Sequence, residues 1–146
     1  MTKKIASFLL LFTISQMAKS QTFTYYPFQS LLELSSNPKK SLWMQFRIQG
    51  NSVFSSMNTE IAPMFTIKKN PKSTFYLGPG VQFNLLNSLN DKDILNGYFF
   101  NIGTRAYPSE KYKNLGIAFE ISPYANKDFD IGTWRYLLGI SYSFGK

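Results

Sequence analysis

The chain has neither cysteine nor histidine. Without cysteine it can form no disulfide and cannot carry a lipid on a cysteine after an export signal, so any stability outside the cell must come from packing or from a covering medium. Without histidine it lacks the general base of the familiar membrane-barrel hydrolases and acyltransferases, and zinc loses both of its preferred ligands. Glu60 and Glu120 could form a carboxylate pair of the acid–base kind, but an arginine beside each is the expected arrangement. Gly78-Pro79-Gly80 lies inside a strand pattern and lacks the helix that a phosphate-binding loop requires. No catalytic residue, metal ligand or cofactor is therefore expected, and the chain does not read as an enzyme. A long apolar run is absent too. The longest, Ile5–Ile14, has ten residues where a spanning helix takes roughly 20.

That short run has its own meaning. Lys3 and Lys4 precede it, and Ala18-Lys19-Ser20 supplies small residues before Gln21, the layout of a cleavable export signal over residues 1–20. The Ser20-Gln21 junction resembles cleavage sites of Bacteroidetes exported proteins. Cleavage leaves 126 residues, enough for one domain, and takes the net charge from +8 to +5 by removing Lys3, Lys4 and Lys19.

The remainder alternates with period two in six segments, 41–49, 59–68, 73–86, 94–107, 115–125 and 133–144. Pro63 interrupts the second, where a bulge is expected. One face of each segment is aliphatic and aromatic, as in Leu42, Met44, Phe46 and Ile48. The other is small or polar, with glycines at 78, 80, 97, 103, 116 and 139. A soluble sandwich would show Lys, Glu and Thr throughout its water face, whereas this face suits a narrow, crowded lumen with the apolar face turned to lipid. Each segment also reaches about 9 to 11 residues, the length of a tilted membrane strand. The fold expected is all-β, an antiparallel up-and-down meander of six clear strands, or eight, closing over residues 41–146 into a small membrane β-barrel.

Under this reading Arg47, Glu60, Arg105, Glu120 and Arg135 share the lumen as an interior salt-bridge network that plugs it. Aromatic residues make up 17% of the chain, and Trp43, Tyr76, Tyr107, Tyr124, Trp134 and Tyr142 lie near strand ends, where interfacial girdles form. The segment Tyr136–Phe144 ends in alternating aromatics and resembles the closing strand of bacterial outer-membrane barrels. That resemblance implies an assembly signal at Tyr142 and Phe144, read by the barrel assembly machinery; here Gly145 and Lys146 follow the phenylalanine.

Connections alternate in character. Asn37–Lys40, Asn70–Lys72 and Pro108–Asn114 are turns on one rim, while 50–58, 87–93 and 126–131 are rich in Asn, Ser and Asp and form loops on the other. The turn rim and C-terminus hold Lys39, Lys40, Lys68, Lys69, Lys72, Lys111, Lys113 and Lys146 against Glu110. The loop rim sets Asp91, Asp93, Asp128 and Asp130 against Lys92 and Lys127. Basic residues beside an apolar band suit anionic lipid headgroups, or simply keep the turns soluble. Nucleic acid is disfavoured, since the lysines form no stripe with stacking aromatics.

Residues 21–40 are the unsettled part, with Phe28, Leu31 and Leu32 at helical spacing and so few residues that a short helix or one extra strand is expected instead of two strands. The chain as a whole resembles small outer-membrane β-barrel proteins of Gram-negative, Bacteroidetes-like bacteria. This implies the cell outer membrane as location, lipid as surroundings, and a structural, adhesive or partner-binding role at the outer loops. The alternative is a soluble exported lipocalin-like barrel carrying an apolar ligand, which requires Phe75, Leu77, Val81 and Phe83 to line the interior. Oligomeric state is not legible.

Overall fold

The computed structural model describes residues 21–50 and 57–144. The expected export signal at 1–20, most of the loop at 50–58, and Lys146 lie outside them. Eight antiparallel strands follow one another around a closed barrel: β1 Thr22–Tyr26, β2 Leu31–Ser35, β3 Leu42–Gly50, β4 Met57–Lys69, β5 Ser73–Asn84, β6 Leu95–Ala106, β7 Leu115–Asn126 and β8 Gly132–Ser143. Every strand pairs with its sequence neighbours, and β8 returns to β1 through pairs such as Tyr142 with Phe23 and Ile140 with Tyr25. The meander was legible in the alternation; its strand number was not.

The two additional strands come from residues 22–35, which corrects the expectation of a helix or a single strand there. Thr22, Thr24 and Tyr26 turn inward and alternate with Phe23 and Tyr25 outside. Leu31, Glu33 and Ser35 do the same against Leu32 and Leu34. Five residues suffice for each strand because the barrel is sheared, so β1 meets β8 over only four residue pairs. Pro27 ends β1. It has no N–H to donate, and Ser30, at φ 48°, closes the connection through a left-handed conformation.

Prolines act differently in β4. Pro63 carries no bulge, contrary to expectation; the register shift lies between Thr66 and Lys68. Pro63 instead falls opposite Pro79 of β5, and no ladder pairing is made across 62–64 and 78–80. Neither proline can donate, so the two remove both hydrogen bonds of one pairing site.

All described turns fall on one rim, at 36–41, 70–72 and 107–114, and the described loops at 27–30, 85–94 and 127–131 fall on the other. The lumen is filled solid. Trp43, Ala62, Met64, Tyr76 and Phe99 form one buried cluster, and Tyr26, Leu31, Ala118 and Leu137 form a second. Glycine makes room for the rings: a Cβ at Gly80 would lie 2.2 Å from the Phe99 ring, and one at Gly139 would lie 2.7 Å from Tyr26.

Candidate functional site: the charged lumen

Apart from Lys68 and Lys69 at the turn end of β4, the charged residues of the described strands are Glu33, Arg47, Glu60, Arg105, Glu120 and Arg135. Period-two alternation aims all six inward. Five are fully buried, and only the Arg135 side chain retains some exposure, at 19%. Three arginines and three glutamates sum to zero, the condition under which charges can be held away from water.

Their connections cross the barrel. Arg105 Nη2 on β6 donates to Glu33 Oε1 on β2 at 2.7 Å. Arg47 on β3 pairs with Glu120 on β7, and Arg135 on β8 with Glu60 on β4. In a ring of eight, strands four apart stand on opposite walls, so each of these pairs spans the diameter. Arg47 also joins its lateral neighbours, which stand directly across the ladder: Glu33 at 3.3 Å and Glu60 at 3.5 Å.

Neutral side chains complete the shell. Glu120 Oε1 accepts from Tyr76 Oη at 2.6 Å, Gln45 Nε2 at 3.1 Å and Tyr26 Oη at 3.2 Å. Glu33 Oε2 accepts from Gln45 Nε2 at 2.6 Å and Tyr26 Oη at 2.8 Å, and Gln82 Nε2 donates to Glu60 Oε1 at 2.8 Å. Each guanidinium also lies over an aromatic face: Arg47 over Tyr26, Arg105 over Trp43 and Tyr76, and Arg135 over Phe99 and Tyr124, all at 5.2–5.7 Å. This contact matters most for Arg105, whose Nε and Nη1 have no hydrogen-bond acceptor among the described residues.

The five expected lumen residues are thus brought together. Glu33 was missed. Its signal was a charge imbalance, since three arginines against Glu60 and Glu120 leave one positive charge over, and Glu33, between outward Leu32 and Leu34, is the acid in phase to cancel it.

The expected aromatic girdle divides. Trp134 and Tyr142 are exposed on the outer wall, with Tyr142 edge-on to Phe144 at a centroid distance of 5.0 Å, and Tyr107 is half-buried at the turn end of the barrel. Trp43, Tyr76 and Tyr124 point inward, which corrects their assignment to a lipid interface. Trp43 is in phase with Gln45 and Arg47, and Tyr76 with Thr74. Trp43 packs edge-to-face on Tyr76 at 5.1 Å and donates its indole N–H to Thr66 Oγ1 at 3.2 Å. The indole N–H of Trp43 and the phenol of Tyr76, polar handles that would have met interfacial water, find partners inside.

Chemically, this arrangement holds and fills. Glu33, Glu60 and Glu120 each face an arginine, so none of the three is an unpaired base. Glu60 and Glu120 are joined through Arg47, which stands between them. Among the described residues no group of carboxylates could hold a metal ion, and no helix is long and apolar enough to cross a membrane. Comparison of the chain with protein-family models, with curated proteins and with solved structures finds no match.

Proposed function

We propose that the chain is a small outer-membrane β-barrel with a structural or partner-binding role, closed to solutes by its charged lumen. The observation that carries this reading is an inside-out distribution. Apart from Lys68 and Lys69 at the turn end of β4, the charged groups of the strands lie inside, while the outer wall presents residues such as Phe46, Phe75, Phe119, Leu138 and Ile140. A soluble barrel would reverse that arrangement.

The height of the wall agrees. The outward run Trp134–Phe144 rises about 33 Å at about 3.3 Å per residue, and a strand tilt of about 40° turns this into about 25 Å along the axis, the apolar band of outer-membrane barrels. Tyr142 and Phe144 sit on the outer wall of the closing strand, where assembly machinery could read them. The loop rim, with Asp91, Asp93, Asp128 and Asp130, is the surface offered to a protein partner. No enzymatic role is proposed, as histidine and cysteine are absent from the chain.

The carrier alternative needs an apolar interior. Phe75 and Val81 are exposed outside, Leu77 and Phe83 follow them in phase, and the lumen holds ion pairs instead.

Single-tryptophan variants in vesicles containing brominated lipid test the proposal. With Trp43→Phe the remaining Trp134, 69% exposed, should be strongly quenched. With Trp134→Phe the remaining Trp43, 2% exposed, should not be. Unquenched Trp134, together with recovery of the native protein in the soluble fraction and no boiling-dependent gel shift, would overturn the membrane reading.

A further inference from the structure

The lumen network leaves the turn rim unexplained. Three turns from different hairpins frame an open cup of about 560 Å³ there, lined by Lys39 from the first, Lys72 from the second, and Tyr107, Ser109, Glu110 and Lys113 from the third. The turns are tied together. Tyr107 N donates to Lys72 O at 2.8 Å, Lys69 Nζ donates to Lys39 O at 3.3 Å, and Lys72 Nζ pairs with Glu110 Oε1 at 3.1 Å.

That ion pair decides the charge of the cup. Glu110 is its one acid and is held by Lys72, while Lys39 and Lys113 have no carboxylate partner among the described residues. Two lysines without a carboxylate partner, in a lining that also carries Tyr107 and Ser109, match a compact anion with several acceptor oxygens. The volume exceeds that of a bare ion and leaves room for a small polyol attached to it.

We propose that this cup binds a phosphate-bearing anion, with Lys39 and Lys113 as the principal charges and Tyr107 and Ser109 available as donors. The same chemistry can arrive in two ways: as a free phosphate ester from the aqueous side, or as the headgroup of an anionic phospholipid flanking the rim. The second source rests on the membrane reading above; the first does not.

The test uses folded protein in a nonionic detergent titrated with glycerol phosphate, and protein in nanodiscs of phosphatidylcholine with or without phosphatidylglycerol. The variant Lys39→Gln/Lys113→Gln is compared with Lys40→Gln/Lys68→Gln, which removes two charges from the same rim outside the cup. A far-UV circular dichroism spectrum unchanged from that of the wild type shows that both variants are folded.

Each cup lysine is expected to contribute about fivefold to affinity, so the cup variant should lose about 25-fold while the control loses little. Added salt should weaken the wild-type interaction. Glycerol phosphate binding that depends on Lys39 and Lys113 identifies a free ester as a ligand; dependence seen only with phosphatidylglycerol identifies the headgroup. No binding in either arm, or equal losses in the two variants, overturns the proposal. A failed membrane reading would show separately, as unquenched Trp134.

Discussion

Replacing Arg47 with methionine removes the one cation that touches all three lumen glutamates. Glu33 keeps Arg105 and Glu60 keeps Arg135, but Glu120 loses its only arginine and retains just the phenols of Tyr26 and Tyr76 and the amide of Gln45. The lumen then carries one uncompensated negative charge at a fully buried carboxylate. Breaking a buried pair from one side costs about 3–5 kcal/mol. At a urea slope of about 2 kcal/mol per molar, this moves the unfolding midpoint down by about 2 M. The assay is reversible urea unfolding of the barrel in vesicles, followed by tryptophan fluorescence. The double variant Arg47→Met/Glu120→Gln removes both charges while leaving acceptors for Tyr26 and Tyr76, so it should recover at least half of the loss. A cost below about 1 kcal/mol for Arg47→Met, or no recovery in the double variant, would refute the claim that charge pairing holds the lumen together.

Three other consequences are open to measurement. Pro27 ends the β1–β8 ladder, so in detergent micelles the amides of Trp134, Tyr136 and Leu138 should exchange with deuterium much faster than those of Ile140 and Tyr142; equal protection would show that the seam is covered. Lys127 donates to Asp93 across the loop rim, and this hydrogen bond first, then its positive charge, holds the Asp93 carboxyl below the ordinary aspartate range. The contact is therefore intact above that range and lost as pH falls through the depressed value, and Lys127→Gln should return the NMR titration of Asp93 to normal. Gly80→Ala should cost about 1–3 kcal/mol by collision with the Phe99 ring, and Phe99→Leu in the same chain should relieve part of it in thermal unfolding.

Most of the barrel could be read from alternation because a strand with one lipid-like and one polar face has only one sensible phase. That phase located Arg47, Glu60, Arg105, Glu120 and Arg135 correctly. It also placed Trp43 and Tyr76 on the inner face, which the expectation of a girdle set aside in favour of their position near strand ends. Phase was the stronger signal, since a one-residue slip reverses every side chain of a strand. Residues 22–35 were hard to read for a physical reason. Strands of five residues show too little alternation to compete with an apparent helical spacing of Phe28, Leu31 and Leu32, and their stability comes from neighbours distant in sequence. The turn-rim cup was beyond sequence reading altogether, because its lining gathers three turns that only closure brings together.

Closure itself is the least local event in this chain. Hairpin turns choose neighbours, but nothing in a turn specifies that β8 must return to β1. The diametric ion pairs supply that information. Arg105 and Glu33 are 72 residues apart, Arg47 and Glu120 are 73, and Arg135 and Glu60 are 75, and each pair joins strands four places apart in the ring. In a six-stranded ring the same strands would not face each other, and the charges could not all meet. In an open sheet they would remain solvated and contribute little, so their stabilisation appears only when the ring is complete. Interactions absent from the transition state act mainly on the unfolding rate. Arg47→Met is therefore expected to speed unfolding from vesicles far more than it slows folding into them. A slowed folding rate with unfolding unchanged would mean instead that the network assembles early and guides closure.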